Sequence, residues 1–163
     1  MSKSFDKETF LRVWGRVLPS EGWESESCGC GDDEAERLRG FITARRQSAA
    51  VYRTLLSRGG SSRAAQVLRR LLQEAQAQEK RLQREYFLLT GDTFSPRVRV
   101  QHEAGFLSGL RRCYGEEQRA CDEYRKGAER TENKELSALY RTFAANCERR
   151  RDRLRTLIDG MMR

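Results

Sequence analysis

LLQEAQAQEKRLQREYFLLTG, residues 71–91, is the stretch on which the reading of the fold turns. Leu71, Ala75, Gln78 and Leu82 recur at three- and four-residue spacing, so they share one face of a helix, and Gly91 ends it. Working outward from this helix, the same periodicity predicts three others. The four run over about 33–58, 62–90, 104–130 and 134–160, separated by GGSS, GDTFSPRVRVQ and TEN, all rich in turn and cap residues. Asp32 or Asp33 is the expected N-cap of the first. Phe41, Leu55, Leu68, Leu71, Leu82, Phe106, Leu110, Leu139, Phe143 and Leu157 are the expected core.

The fold class is therefore all-α. Two of the connections are short, which makes antiparallel hairpins of the first and second helices and of the third and fourth. The middle connection is about a dozen residues, long enough at about 3.3 Å each to travel the length of a helix. Two hairpins joined by such a crossover form one kind of four-helix bundle, and an up-and-down bundle with a loose middle loop would read similarly. An amphipathic helix over residues 5–18, with Phe10, Trp14, Val17 and Leu18 on one face, is expected before Pro19. The division is 1–32, an N-terminal helix with a Cys/Gly-rich loop, and 33–163, the bundle.

A gapless shift of 72 residues lays the first hairpin on the second, with Tyr52 on Tyr124, Arg53 on Arg125, Leu68 on Tyr140, Leu71 on Phe143 and Leu82 on Leu154. Apolar positions match apolar positions through both helices, as two structurally equivalent hairpins require.

Charge and composition narrow the function classes. The 163 residues carry a net charge of +8, with a pI near 9.6. An anionic partner such as nucleic acid is thus an alternative, but the basic residues are interleaved with acids along every helix and form no separate tail, which favours a solvated surface. The N-terminus lacks an apolar signal core, and no stretch approaches the roughly 18 apolar residues of a membrane span, so the expectation is a cytoplasmic protein without a membrane partner. Five cysteines, an odd number, suit a reducing compartment. Cys28 and Cys30 form a CGC in the loop, a weak pattern for a metal or a transient disulfide.

With Tyr52 and Tyr124 as anchors, YFLLTG closing the second helix and VWGRVLP in the N-terminal segment, the chain resembles the ferritin-like superfamily and, within it, the rubrerythrin-like proteins. That resemblance implies a ferritin-like bundle, a homodimer, and a di-iron centre held by Glu-x6-Tyr on the first and third helices and Glu-x-x-His on the second and fourth. Laid on this chain, the ligand positions hold Arg45, Ala75, Gln78, Glu117, Cys147 and Arg150, and only Glu117 keeps its ligand type. Glu74, Glu116 and Glu148 stand next to these positions, so a slip of one residue is open. Independently of register, the chain has a single histidine, His102 in the crossover, and no Glu-x-x-His.

A core without divalent cations cannot hold four ionised carboxylates, because each loses its hydration and repels the others. The expected replacement is a polar cluster of Glu117, Arg45, Arg150 and Gln78, with Tyr52 and Tyr124 beside it and both arginines bonding Glu117 bidentately. Cys113, Glu117 and Cys121 are spaced i, i+4, i+8 on the third helix, and together with Cys147 they are the candidate donors for a soft metal. Alternatively, Arg45 and Arg150 could lower a thiol pKa and make a redox group, and the plainest reading is that the thiols are small apolar core residues. No cofactor is expected. The leading reading is a bundle without its di-iron site, in a non-catalytic interaction or structural role. The alternatives are a rubrerythrin-type metal oxidoreductase with an unusual ligand set and a basic nucleic-acid-binding relative.

Overall fold

Each helix begins and ends where local chemistry satisfies its free backbone groups. In the computed structural model, which describes residues 30–101 and 104–163, these are α1 (Cys30–Ser57), α2 (Ser62–Thr90), α3 (Phe106–Arg130) and α4 (Lys134–Met161). The Ser61 side chain accepts from the Ala64 N–H, and Gly91, at φ 73°, turns the chain out of α2 with its N–H donated to Phe87 O. Asn133 Oδ1 accepts from the N–H groups of Glu135 and Leu136 at the start of α4. At α3 the capping residue is Gly105, which has no side chain, and Ser108 Oγ folds back to accept its N–H at 3.1 Å.

The first helix starts earlier than its sequence suggests. It begins at Cys30, which places Asp32 and Asp33 inside the first turn rather than at the cap, where their charges face the positive end of the helix dipole. The helix expected over 5–18, Cys28 and His102 lie outside the described residues. Among the described residues there is no strand, and no helix is long and apolar enough to cross a membrane.

α1 packs along α2 and α3 along α4, and the two hairpins meet through α1 on α3 and α2 on α4. The backbones of α2 and α3 lie on a diagonal, whereas an up-and-down bundle would place them side by side. The connection between them runs back along α1. Gln83 Nε2 donates to Phe94 O, Arg46 Nη1 to Ser95 Oγ and Pro96 O, and Gln47 Nε2 to Arg99 O. Phe106 then arrives beside Gly60 of the α1–α2 turn. The fold is thus an all-α four-helix bundle of two antiparallel hairpins joined by a crossover, with α2 and α3 parallel.

The core is divided in two. Leu38, Phe41, Ile42, Leu82, Tyr86, Tyr124, Tyr140 and Phe143 belong to one apolar cluster, and Tyr52, Leu55, Leu68, Leu71, Leu110, Leu154 and Leu157 to the other. Phe106 and Leu139, expected in the core, are only partly buried against these clusters, Phe106 because it is the first residue of α3 and Leu139 because it flanks the face that buries Leu136, Tyr140 and Phe143. Along every helix, the break between the clusters falls at one buried polar residue: Arg45, Gln78, Glu117 or Arg150.

Candidate functional site: a buried polar layer

These four residues form a layer across the bundle, one from each helix. Glu117 is 0% exposed, Arg45 and Arg150 1% and Gln78 5%, so their interactions are shielded from solvent. Their burial follows from position. Each lies three or four residues from apolar residues on both sides of its helix, on the face that the hairpins turn inward.

Glu117 is the hub. Arg45 Nη1 donates to its Oε1 at 3.0 Å and its Oε2 at 3.2 Å, Arg150 Nε donates to Oε2 at 3.1 Å, and Tyr52 OH donates to Oε1 at 2.8 Å. Neither arginine forms the two-nitrogen fork expected from sequence. Arg150 instead spreads its donors, with Nη2 reaching Gln78 Oε1 at 2.9 Å and Cys147 Sγ at 3.0 Å. Three buried polar atoms here have no hydrogen-bond partner: Arg45 Nε, Gln78 Nε2 and Tyr124 OH. Tyr124 therefore neighbours the layer without joining its hydrogen bonds, and its ring packs on Phe41 at 4.4 Å between centroids. Ala75, fully buried in the second apolar cluster, contributes only a methyl group.

The layer carries the internal repeat into three dimensions. Arg45 bonds Glu117 and Gln78 bonds Arg150, each pair 72 residues apart, so equivalent positions of the two hairpins meet across an approximate two-fold axis. One position further along, Arg46 Nε donates to Glu79 in the first hairpin and Arg151 Nη1 to Gln118 in the second, which is the same pair of positions with the donor moved to the other helix.

Burial pushes the Glu117 carboxyl toward neutrality, but Arg45, Arg150 and the Tyr52 hydroxyl together outweigh it and hold the carboxyl below the usual carboxylate range. Burial likewise opposes the Arg45 charge, and Glu117 reverses that effect. The Tyr52 phenol is driven well up by burial and by the neighbouring carboxylate. The layer is thus a paired ionic network holding two guanidiniums and one carboxylate.

Cys113, Cys121 and Cys147 are buried within the apolar clusters, as the plainest reading has them, and their pKa shifts run opposite to the lowering that the redox alternative needs. Burial pushes both Cys147 and Cys113 up to about 12, with Glu117 adding to the rise, although Arg45 and Arg150 pull Cys147 the other way. Cys121 is also raised by burial. Desolvation outweighs the two guanidiniums, so none of these thiols is an activated nucleophile.

Cys113, Glu117, Cys121 and Cys147 do not form a metal site either. Among the described residues, no group of three or more His, Cys, Asp or Glu side chains is placed to hold a metal ion. The physical reason is length: eight residues of helix rise about 12 Å, far beyond two thiolate bonds of about 2.3 Å to one ion. Cys113 and Cys121 accordingly sit in different core clusters. The positions that the resemblance assigns to a di-iron centre offer one carboxylate, one neutral thiol, one amide, one methyl group and two cations, a donor set that does not fit two iron ions.

Sequence reasoning missed a second buried carboxylate, Glu34, which accepts from Tyr140 OH at 2.5 Å and Arg37 Nη1 at 2.6 Å. Its only signal was an acid three residues before Arg37 in the first turn of the expected helix, where an acid ordinarily faces solvent at the helix N-terminus. Comparison of the chain with protein-family models, curated proteins and solved structures finds no match.

Proposed function

We propose that this chain is a ferritin-like, rubrerythrin-related bundle in which a paired ionic layer has taken the place of a di-iron centre, and that it acts as a non-catalytic interaction or structural protein. The observation that carries the reading is Glu117 held by Arg45 and Arg150 in the middle of the bundle. A carboxylate already paired with two guanidiniums has little affinity left for a divalent cation, and the cation would have to approach two fixed positive charges. The burial that raises the Cys113 and Cys147 thiols supports the same reading, since it disfavours thiolate redox chemistry at neutral pH. The experiment is metal analysis of the full chain purified without chelators. Less than about a tenth of an equivalent of iron, manganese or zinc is expected, and near-stoichiometric metal would favour the oxidoreductase alternative instead.

A further inference from the structure

A depression of about 450 Å³ lies between α2 and α4, directly outside the buried layer. It has the dimensions of a small-molecule pocket, roughly 300 to 1,000 Å³. Its lining includes four arginines, Arg70, Arg149, Arg150 and Arg153, and a single acid, Glu74. That carboxylate is shared three ways: Arg153 Nη1 lies 2.6 Å from Glu74 Oε1, Arg70 Nε 3.2 Å from the same oxygen, and Arg150 Nη1 3.9 Å from Oε2. Arg149 donates to Asn146 Oδ1 and has no acidic partner among the described residues. Behind them, Gln78 keeps its Nε2 unpartnered although its side chain is almost wholly buried, and its Oε1 is fixed by Arg150.

Arg150 is already paired with Glu117 behind the floor, so three guanidiniums, Arg70, Arg149 and Arg153, have only the single carboxylate of Glu74 between them and leave a concentrated positive charge at the rim. Elsewhere on this basic chain, arginines such as Arg81, Arg119 and Arg125 pair with acids one helical turn away or across the groove. The charge is arranged in a concavity, so one ligand can meet several guanidiniums at once, and guanidinium geometry matches tetrahedral oxyanions. We infer that this depression binds a dianionic phosphate group, as inorganic phosphate or a small phosphomonoester, through Arg149, Arg153 and Arg70, with Arg150 and Gln78 at its floor. A monocarboxylate would leave most of the charge unpaired. Its rim is independent of the proposed loss of metal, because Arg70, Arg149 and Arg153 take no part in the bonds around Glu117.

Isothermal titration of the full chain at pH 8 with inorganic phosphate, against acetate at matched ionic strength, tests this. Phosphate is expected to bind saturably and acetate not to. Arg149→Ser and Arg153→Ser should each weaken phosphate binding at least about ten-fold, the scale of losing a charged hydrogen-bond donor. Arg84→Ser, which removes the same charge from α2 outside the depression, should leave it unchanged, and the melting temperatures of the variants without ligand verify folding. Equal responses to phosphate and acetate, or equal effects of Arg149→Ser and Arg84→Ser, would overturn the assignment. So would a short DNA duplex that displaces phosphate with a steep salt dependence, since that would make the depression part of a nucleic-acid surface.

Discussion

Glu117 shows how an ionised side chain survives inside an apolar bundle. Removing a carboxylate from water costs several kcal/mol, and two guanidiniums and a phenol must return that energy through short, shielded contacts. The network is consequently more sensitive to the loss of one member than to the loss of all. Glu117→Gln keeps the shape but leaves Arg45 and Arg150 buried without a counter-charge, and a loss of about 3–5 kcal/mol in urea unfolding followed by circular dichroism is expected. The combined Arg45→Met, Glu117→Leu, Arg150→Met replacement removes every charge and should be near neutral or stabilising. A triple variant as damaged as Glu117→Gln would show that packing, not charge pairing, decides the stability of the layer. Much of this layer was legible in the sequence, because Arg45, Gln78, Glu117 and Arg150 each interrupt an apolar stripe at helical spacing. The thiol pKa direction was not, because sequence shows which charges are near a cysteine but not how completely water is excluded from it.

Among the elements, α1 meets α3 across positions that glycine leaves open. A Cβ added at Gly109 would lie 2.6 Å from Leu55 Cδ2, and at Gly127 one would lie 3.2 Å from Arg37 Cδ, Phe41 Cζ and Tyr140 Cδ2. The repeat relates these two sites, since a shift of 72 residues carries Leu55 onto Gly127 and Arg37 onto Gly109. The pairing is crosswise: Leu55 enters the space at Gly109, the counterpart of Arg37, and Arg37 the space at Gly127, the counterpart of Leu55. Gly109→Ala adds helix propensity of about 1 kcal/mol but forces Leu55, only 3% exposed, to move in a filled core. A net destabilisation of about 1 kcal/mol is expected. At Gly115 on the same helix an added Cβ meets nothing, so Gly115→Ala should stabilise by about 0.5–1 kcal/mol. Equal urea midpoints for the two variants would mean that α1 and α3 are not held at this spacing. The four helices could be read from periodicity and turn residues. The start of α1 could not, because CGDD, residues 30–33, has turn composition and its helical state is imposed by the turns that follow it.

At the scale of the whole molecule, the crossover and the repeat together determine what the centre of the bundle can hold. Because α2 and α3 run parallel on a diagonal, positions 45, 78, 117 and 150 arrive at one level from four directions, and Ala75 and Cys147 are buried close by on α2 and α4. An up-and-down path would change which helix faces which and would not pair position 45 with 117 and 78 with 150. If the ferritin-like reading is right, the backbone still presents six ligand positions and only the side chains have changed. The variant combining Arg45→Glu, Ala75→Glu, Gln78→His, Cys147→Glu and Arg150→His, with Glu117 retained, should then bind ferrous iron. Without metal, its four buried carboxylates repel one another, so its melting temperature should fall below that of the parent chain. Metal that binds only the folded state adds about 2.7 kcal/mol when present at 100 times its dissociation constant. For a chain of this size, that is a rise of about 5–10 °C. The parent chain, with its ionic layer intact, should show no such rise under anaerobic iron. A variant that folds yet melts at the same temperature with and without iron would remove the ferritin-like assignment of these positions, while leaving the ionic layer itself as described.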